Sequence, residues 1–447
     1  MISIAPAFRR NSVFALIGFG FLAACAEPQV ILPGKREAIR SAVQDDGSTE
    51  TVAKPVNESR PISLPAQRSN ASWPQSPGTP AYRTENAALG SALQRVWSAP
   101  IGEGDSRKFR ITATPAVADG RIFTLDATST VTATSTSGAT IWTTDIKPAR
   151  DTATDATGGG LAVEGGRVYV SLGYGEVAAL DAATGAVIWA QQLDATGSGS
   201  PAISGDLLYL VAGDDTGWAL KKDDGRIAWQ IRGTSSISNV LGAPAPAISN
   251  SLAVFAFGSG DVVSVFRRGG LRRWDASVTG GRSGRSISKI SDVTGAPVIK
   301  GNTVYVGNNS GRIVSLNLEN GERNWTATDG AISPVWPTGN SVFSISDTNE
   351  LVRLNAADGS RVWAVRLPDY VKEKPRKRTA VFAHYGPILA GSRLIVASND
   401  GLLRSFDPTN GTMIGSAEIP GGATSAPVVA GGVLYVVGSN GQLHAFR

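Results

Sequence analysis

The chain has 447 residues, a formal net charge of +5, 42% apolar residues and 18% charged residues. That apolar content supports a sizeable core and excludes wholesale disorder, and so mild a positive charge argues against a nucleic-acid partner. With two histidines (His384 and His444) and one cysteine (Cys25), neither an intramolecular disulfide nor a structural zinc site can be built.

Residues 1–24 read as an export signal. Arg9 and Arg10 supply a positive start, and Val13 to Ala24 is an apolar stretch too short to span a bilayer. Asn11-Ser12-Val13 does not continue a twin-arginine motif, so general secretion is expected. The stretch ends in Leu22-Ala23-Ala24-Cys25, which resembles a bacterial lipobox. The resemblance implies a thioether-linked lipid on Cys25, and Ala26 after it implies sorting to the outer membrane. Acyl chains would hold such a protein on a membrane surface. From Cys25 to residue 92 the sequence is polar, Pro-rich and aperiodic, and a flexible tether is expected there.

The rest of the chain is a repeat. Trp97, Trp142, Trp189, Trp229, Trp274, Trp325 and Trp363 recur at steps of 38 to 51 residues. From the second onward, each has a Gly four residues before it: Gly138, Gly185, Gly225, Gly270, Gly321 and Gly359. Gly411 is in phase as a further unit, with Gly415 where the Trp would stand. Ahead of each Gly lie apolar runs such as Arg167-Val168-Tyr169-Val170-Ser171-Leu172, and a third run closes on Asp or Asn, as in Ala179-Leu180-Asp181. Each unit therefore reads as four short antiparallel strands. A Pro precedes the first, the Asp or Asn closes an Asx turn, the Gly supplies positive φ and the Trp lies on the fourth strand. Four-stranded units of about 44 residues predict an all-β, eight-bladed β-propeller over residues 93–447. The last unit ends at Arg447 without its fourth strand. The orphan run Leu93-Gln94-Arg95-Val96-Trp97-Ser98 is expected to supply it and close the ring.

The unit from Gly166 to Trp189 is similar to the repeat of the quinoprotein dehydrogenases and equally to that of the BamB family of outer membrane protein assembly factors. The dehydrogenases typically use adjacent disulfide-bonded cysteines, a Trp floor and a carboxylate-held Ca²⁺. After Cys25 this chain has no cysteine, so no cofactor, catalytic residue or metal site is expected. The BamB resemblance draws further on Ile290-Ser291-Asp292-Val293 ahead of Pro297, and on Ser235 to Ile248, where Gly242 fits and Leu241 stands in place of the family's Arg. It implies a non-catalytic lipoprotein on the periplasmic side of the outer membrane that binds the assembly factor BamA; the alternatives are a periplasmic propeller lipoprotein with a different protein partner, or a quinoprotein dehydrogenase. Its blade edges could also offer strand pairing to unfolded outer-membrane proteins. The implied contacts are Asp292 and Ile290 on one long connection and Val240 and Leu241 on another. Asp292 is expected at a loop surface.

Two charge clusters remain. Lys372-Glu373-Lys374-Pro375-Arg376-Lys377-Arg378 reads as a solvated loop, with head-group or partner contact as the sharper alternative. Arg267, Arg268, Arg272, Arg273, Arg282 and Arg285 would form one positive patch if they shared a face.

Overall fold

A computed structural model describes residues 57–152, 155–196, 199–236, 243–282 and 292–447. It is an all-β ring of eight four-stranded antiparallel sheets. Blade one comprises Ala116–Ala118, Arg121–Leu125, Thr130–Ser135 and Thr140–Asp145. Blades two to seven repeat that order. The first three strands of each blade are largely buried, the first of them lining the axis, whereas the fourth is the most exposed and lies at the rim. Blade eight is Val428–Ala430, Val433–Gly438 and Gln442–Phe446, completed by Arg95–Pro100 from the start of the ring. Trp97 faces Ala445 and Ser98 faces His444. Gln94 and Arg447 exchange backbone hydrogen bonds of 2.9 Å, so the N-terminal strand closes the ring as expected.

The repeat residues do what their spacing implied, and their roles interlock. Asp181 accepts from the amides of Ala183 and Thr184 (3.0 and 2.8 Å), and Asn317 and Asp407 close their turns in the same way. The turn glycine that follows has φ of +76° at Gly185 and +73° at Gly359. It also meets a second constraint: the Trp of the preceding blade lies on it. A Cβ on Gly185 would sit 2.5 Å from the Trp142 ring, and a Cβ on Gly225 2.5 Å from that of Trp189. Any side chain there would lift the indole off the neighbouring blade. Six of the seven indoles also donate Nε1–H to a carbonyl in the next blade, as Trp142 does to Ala182 (3.1 Å) and Trp325 to Ala356 (2.9 Å). Within its own blade the indole tilts against a second-strand aromatic, such as Phe343 for Trp363 (5.9 Å).

The junction from blade seven to blade eight lacks this link. Gly415 occupies the Trp position on Met413–Glu418, and its surroundings are open. The cause lies across the junction. The turn that should receive an indole is the place where Arg447 and Gln94 meet, so no continuous turn exists to receive one.

The structure corrects the expected extent of the tether. From Asn57 onward the chain packs on the propeller. Glu58 donates its N–H to the Val362 carbonyl, and Asn57 brackets Ala364 with two side-chain bonds of 2.9 Å, both on the outer strand of blade six, Arg361–Arg366. Arg353, fully buried, then donates to the carbonyls of Arg60 and Pro61, and to Thr409 of blade seven. Residues 68–90 turn once around the axis and touch the inner strand of every blade. Trp73 exchanges backbone bonds with Val117 in blade one (2.8 and 2.9 Å), and the Pro74 carbonyl accepts from Val163 in blade two. The Gln75 amide pairs with the Ile203 backbone of blade three, and the Thr79 hydroxyl accepts from Ile248 of blade four. Gly78 meets Ile299 of blade five, Glu85 takes the Trp336 indole N–H of blade six, Ala87 pairs with Leu389 and Gly391 of blade seven, and Asn70 holds Gly431 and Val429 of blade eight. The prolines explain both the reading and its failure. They remove the amides needed for a regular strand but leave carbonyls that inner-strand amides can use. Trp73 stacks on Trp336 at 6.2 Å and closes that end of the channel.

Trp363→Ala is expected to cost about 3–5 kcal/mol, because the ring is fully buried and its removal opens the blade six–seven junction. Gly415→Trp is expected to bring no gain, since blade eight has no unbroken turn to receive the indole. Denaturant unfolding of both variants checks the pair.

Candidate partner-binding face

The two ends of the channel differ. Residues 68–90 close the end that carries the turns between first and second strands. The other end opens into a mouth of about 720 Å³ lined in part by Asp105, Arg110, Thr294, Tyr385 and Thr424. Arg110 pairs with Asp105 at 3.2 Å, and burial pushes the Tyr385 phenol up to about 12, which keeps it protonated. The connections from each outer strand to the next blade all emerge at this open end. Two of them, 233–246 into blade four and 278–294 into blade five, carry the residues singled out in the sequence.

Val240, Leu241 and Ile290 lie outside the described residues, as does Cys25. Asp292 is described, and it is not at a loop surface: it is 4% exposed and already partnered within the chain. Its neighbour Val293 is fully buried in the apolar core of blades four and five. Asp292 therefore stands at the root of its connection, where the chain turns into the blade.

That root is built by residues the sequence reading passed over. The Asn308–Ser310 turn of blade five holds both ends of the connection. Asn308 Nδ2 donates to the carbonyls of Val278 (2.7 Å) and Gly280 (3.1 Å), and the Ser310 carbonyl accepts from the Arg282 amide (2.8 Å). On the far side, the Asn309 amide donates to the Asp292 carbonyl (3.1 Å). The Arg282 side chain reaches the next blade, where it makes a bidentate pair with Asp347 (2.8 and 3.1 Å) and approaches Asp329 at 3.5 Å. Its hydrogen bond to Asp347 raises the Arg282 pKa against the opposing effect of burial. Arg361 completes the network with Asp329 and Glu350. Asn-Asn-Ser-Gly at a second-to-third-strand turn was the available signal, since such residues favour turns whose side chains bond backbone groups.

Among the described residues, the arginines that would make a positive patch if they shared a face are not brought together. Arg267 and Arg268 lie in the turn before the outer strand Arg272–Ser277, and Arg282 follows that strand, so the strand's length separates them. Arg267 donates to Asn250 and Ser204, and Arg272 to Asp275 and Arg232. Arg285 is outside the described residues.

The family model described as outer membrane protein assembly factor BamB matches residues 127–365 and 372–447, nearly the whole ring. The chain belongs to the BamB family. Its similarity to BamB of Yersinia pestis is 23% identity over 358 residues, covering 79% of this chain and 88% of that protein. With BamB of Shewanella oneidensis it is 24% over 366 residues, covering 78% and 87%. The crystal structure of BamB from Moraxella catarrhalis superposes with a TM-score of 0.65 at 18% identity, over 80% of this chain and all of that one. A europium-containing methanol dehydrogenase superposes at 0.61 with 13% identity, covering 84% and 98%. Likeness at this level shows the shared propeller alone. The axial plug lies outside the residues that the BamB family model matches.

Both histidines brace connections on the open face. His384 Nε2 bonds the Pro368 carbonyl (2.8 Å) and Nδ1 the Ser398 hydroxyl (2.7 Å); His444 bonds Pro420 (3.0 Å) and Ser98 (2.8 Å). A carbonyl only accepts, so Nε2 carries the proton and each serine can donate to Nδ1. Burial lowers both pKa values below the ordinary 6.5, against a smaller upward pull from the carbonyl bonds. Well above pH 6.5 both rings are neutral whether folded or unfolded, so this contribution to stability is fully present. As pH falls from 6.5 toward the lower folded values, the unfolded chain takes up protons that the folded chain does not, and stability falls. Thermal midpoints measured from pH 7.5 to 5.5 are expected to drop, and to drop less in the double variant His384→Gln, His444→Gln. Equal slopes would contradict this role.

Proposed function

We propose that this chain is a non-catalytic scaffold of the outer-membrane β-barrel assembly machinery. It is held on the periplasmic side of the outer membrane by lipid on Cys25, and it presents the open face to the central assembly factor, BamA. The observation that carries this reading is the BamB family match over the ring that bears both long connections. Against a Ser-His-Asp arrangement, both histidines are buried and committed to structural hydrogen bonds. Val240, Leu241 and Ile290 are the proposed contacts. Asp292 is the proposed positioning residue at the root of its connection. Unfolded outer-membrane proteins are a further proposed class of partner, paired against exposed rim strands.

Two experiments test the reading. Val240→Asp with Leu241→Asp is expected to weaken capture of the assembly factor in a pull-down and to leave the thermal melt unchanged. Unaltered capture would move the interface elsewhere, and a collapsed melt would show these to be core residues. Cys25→Ser is expected to leave the protein uncleaved or outside the outer-membrane fraction, because a hydroxyl does not replace the thiol in lipid transfer. Normal size and normal fractionation would remove the anchor from the proposal.

A further inference from the structure

The connection from blade six to blade seven forms a separate surface feature. Tyr370 and Val381 form an antiparallel bridge, Val371 donates its N–H to Ala380 (3.0 Å), and Phe382 donates to Asp369 (2.8 Å). A 3₁₀ turn at Pro375–Lys377 caps this ribbon, and Arg378 lies over the Tyr370 ring at 4.7 Å. The connection is thus a braced finger, in which residues 371–381 are all exposed. Lys372, Lys374, Arg376, Lys377 and Arg378 project from it against a single acid, Glu373, which is 3.7 Å from Arg378. Among the described residues the other four cations form no ion pair. Two apolar side chains at its root, Val371 (48% exposed) and Val381 (55%), face solvent.

We propose that this finger docks on an anionic phospholipid surface. Cations on long side chains beside exposed aliphatic residues match a diffuse negative surface with an apolar layer beneath it. The first described residues lie beside the same connection. Asn57 is fastened at Ala364, and Glu58 at Val362, on the outer strand of blade six. Followed toward the N-terminus, this segment runs up that strand toward Arg366, after which the finger begins. Asn57, the first described residue, therefore sits on the blade that precedes the cations. An acyl anchor and a basic patch add their affinities when both reach the same membrane surface. The anchor part of this argument rests on the proposed function; the finger's own charge and exposure do not.

The test uses the unlipidated chain from Ala26 onward, which retains every described residue, and sedimentation with vesicles of phosphatidylcholine alone or enriched in phosphatidylglycerol. Binding to the anionic vesicles is expected, weakening as salt is raised. The variant K372Q, K374Q, R376Q, K377Q should bind at least about tenfold more weakly with an unchanged melt. A control neutralising Lys108, Lys221, Arg226 and Arg268 should lose little. Three outcomes would overturn the proposal: no preference for anionic vesicles, equal binding by the finger variant, or an equal loss in the control, which would reveal diffuse charge attraction only. An acidic protein retained by the parent chain but not by the finger variant, without any vesicle effect, would reassign the finger to that partner. Because no lipid is attached in this assay, its failure leaves the Cys25 result intact.

Discussion

Each blade is held to the next by an indole lying on a glycine, and the ring depends on that contact. It imposes two demands on one residue: positive φ to turn the chain, and no Cβ beneath the ring. It also ties the outer rim of one blade to the turn of its neighbour, so that burial of a large aromatic and a hydrogen bond to a carbonyl act at the same point. The contact cannot be made where the chain's two ends meet. The blade seven–eight junction is therefore the one place where the repeat breaks its own rule, with Gly415 in place of Trp.

The N-terminal plug spans that junction. It makes its contact with blade eight at Asn70 and its contact with blade seven at Ala87. The two passes are tied to each other, since Arg68 donates to the Asn86 carbonyl (2.9 Å) and accepts from Ala88 (2.8 Å). A segment pinned to both blades offsets what the missing indole withholds. Ordering such a segment costs roughly 1–2 kcal/mol per residue in backbone entropy. Its hydrogen bonds to otherwise unpaired inner-strand amides, the donors from buried Arg353 and the burial of Trp73 act against that cost.

The plug also makes the two faces unequal. The closed face is covered by the chain itself. The open face carries the long connections, the Asn308–Ser310 turn that roots one of them, and the Arg282–Asp347 pair that ties that root to the next blade. Both described ends of that connection are fixed on the one turn. The basic finger between blades six and seven follows Arg361–Arg366, the strand on which Asn57 and Glu58 are fastened.

The architecture was written locally, and for that reason it could be read from the sequence. A Trp, a Gly four residues earlier and an Asp or Asn ahead of them each act within one turn or one strand, so their recurrence gives the blade count and the closing strand directly. The positions of Asp292 and Arg282, and the fate of residues 57–92, were not local. Asp292 looked like a surface acid because its segment is a connection, yet the chain re-enters the core at its neighbour Val293. Arg282 looked like part of a patch until the next blade supplied Asp347. Residues 57–92 looked like a tether because they have no period, and a segment that pairs once with each of eight blades has no reason to show one. The sequence by itself determined the ring, since each blade repeats its own short-range chemistry. Only the tertiary structure decided which end of the channel is closed and which face is free, because those outcomes depend on edges and carbonyls contributed by strands far apart in the chain.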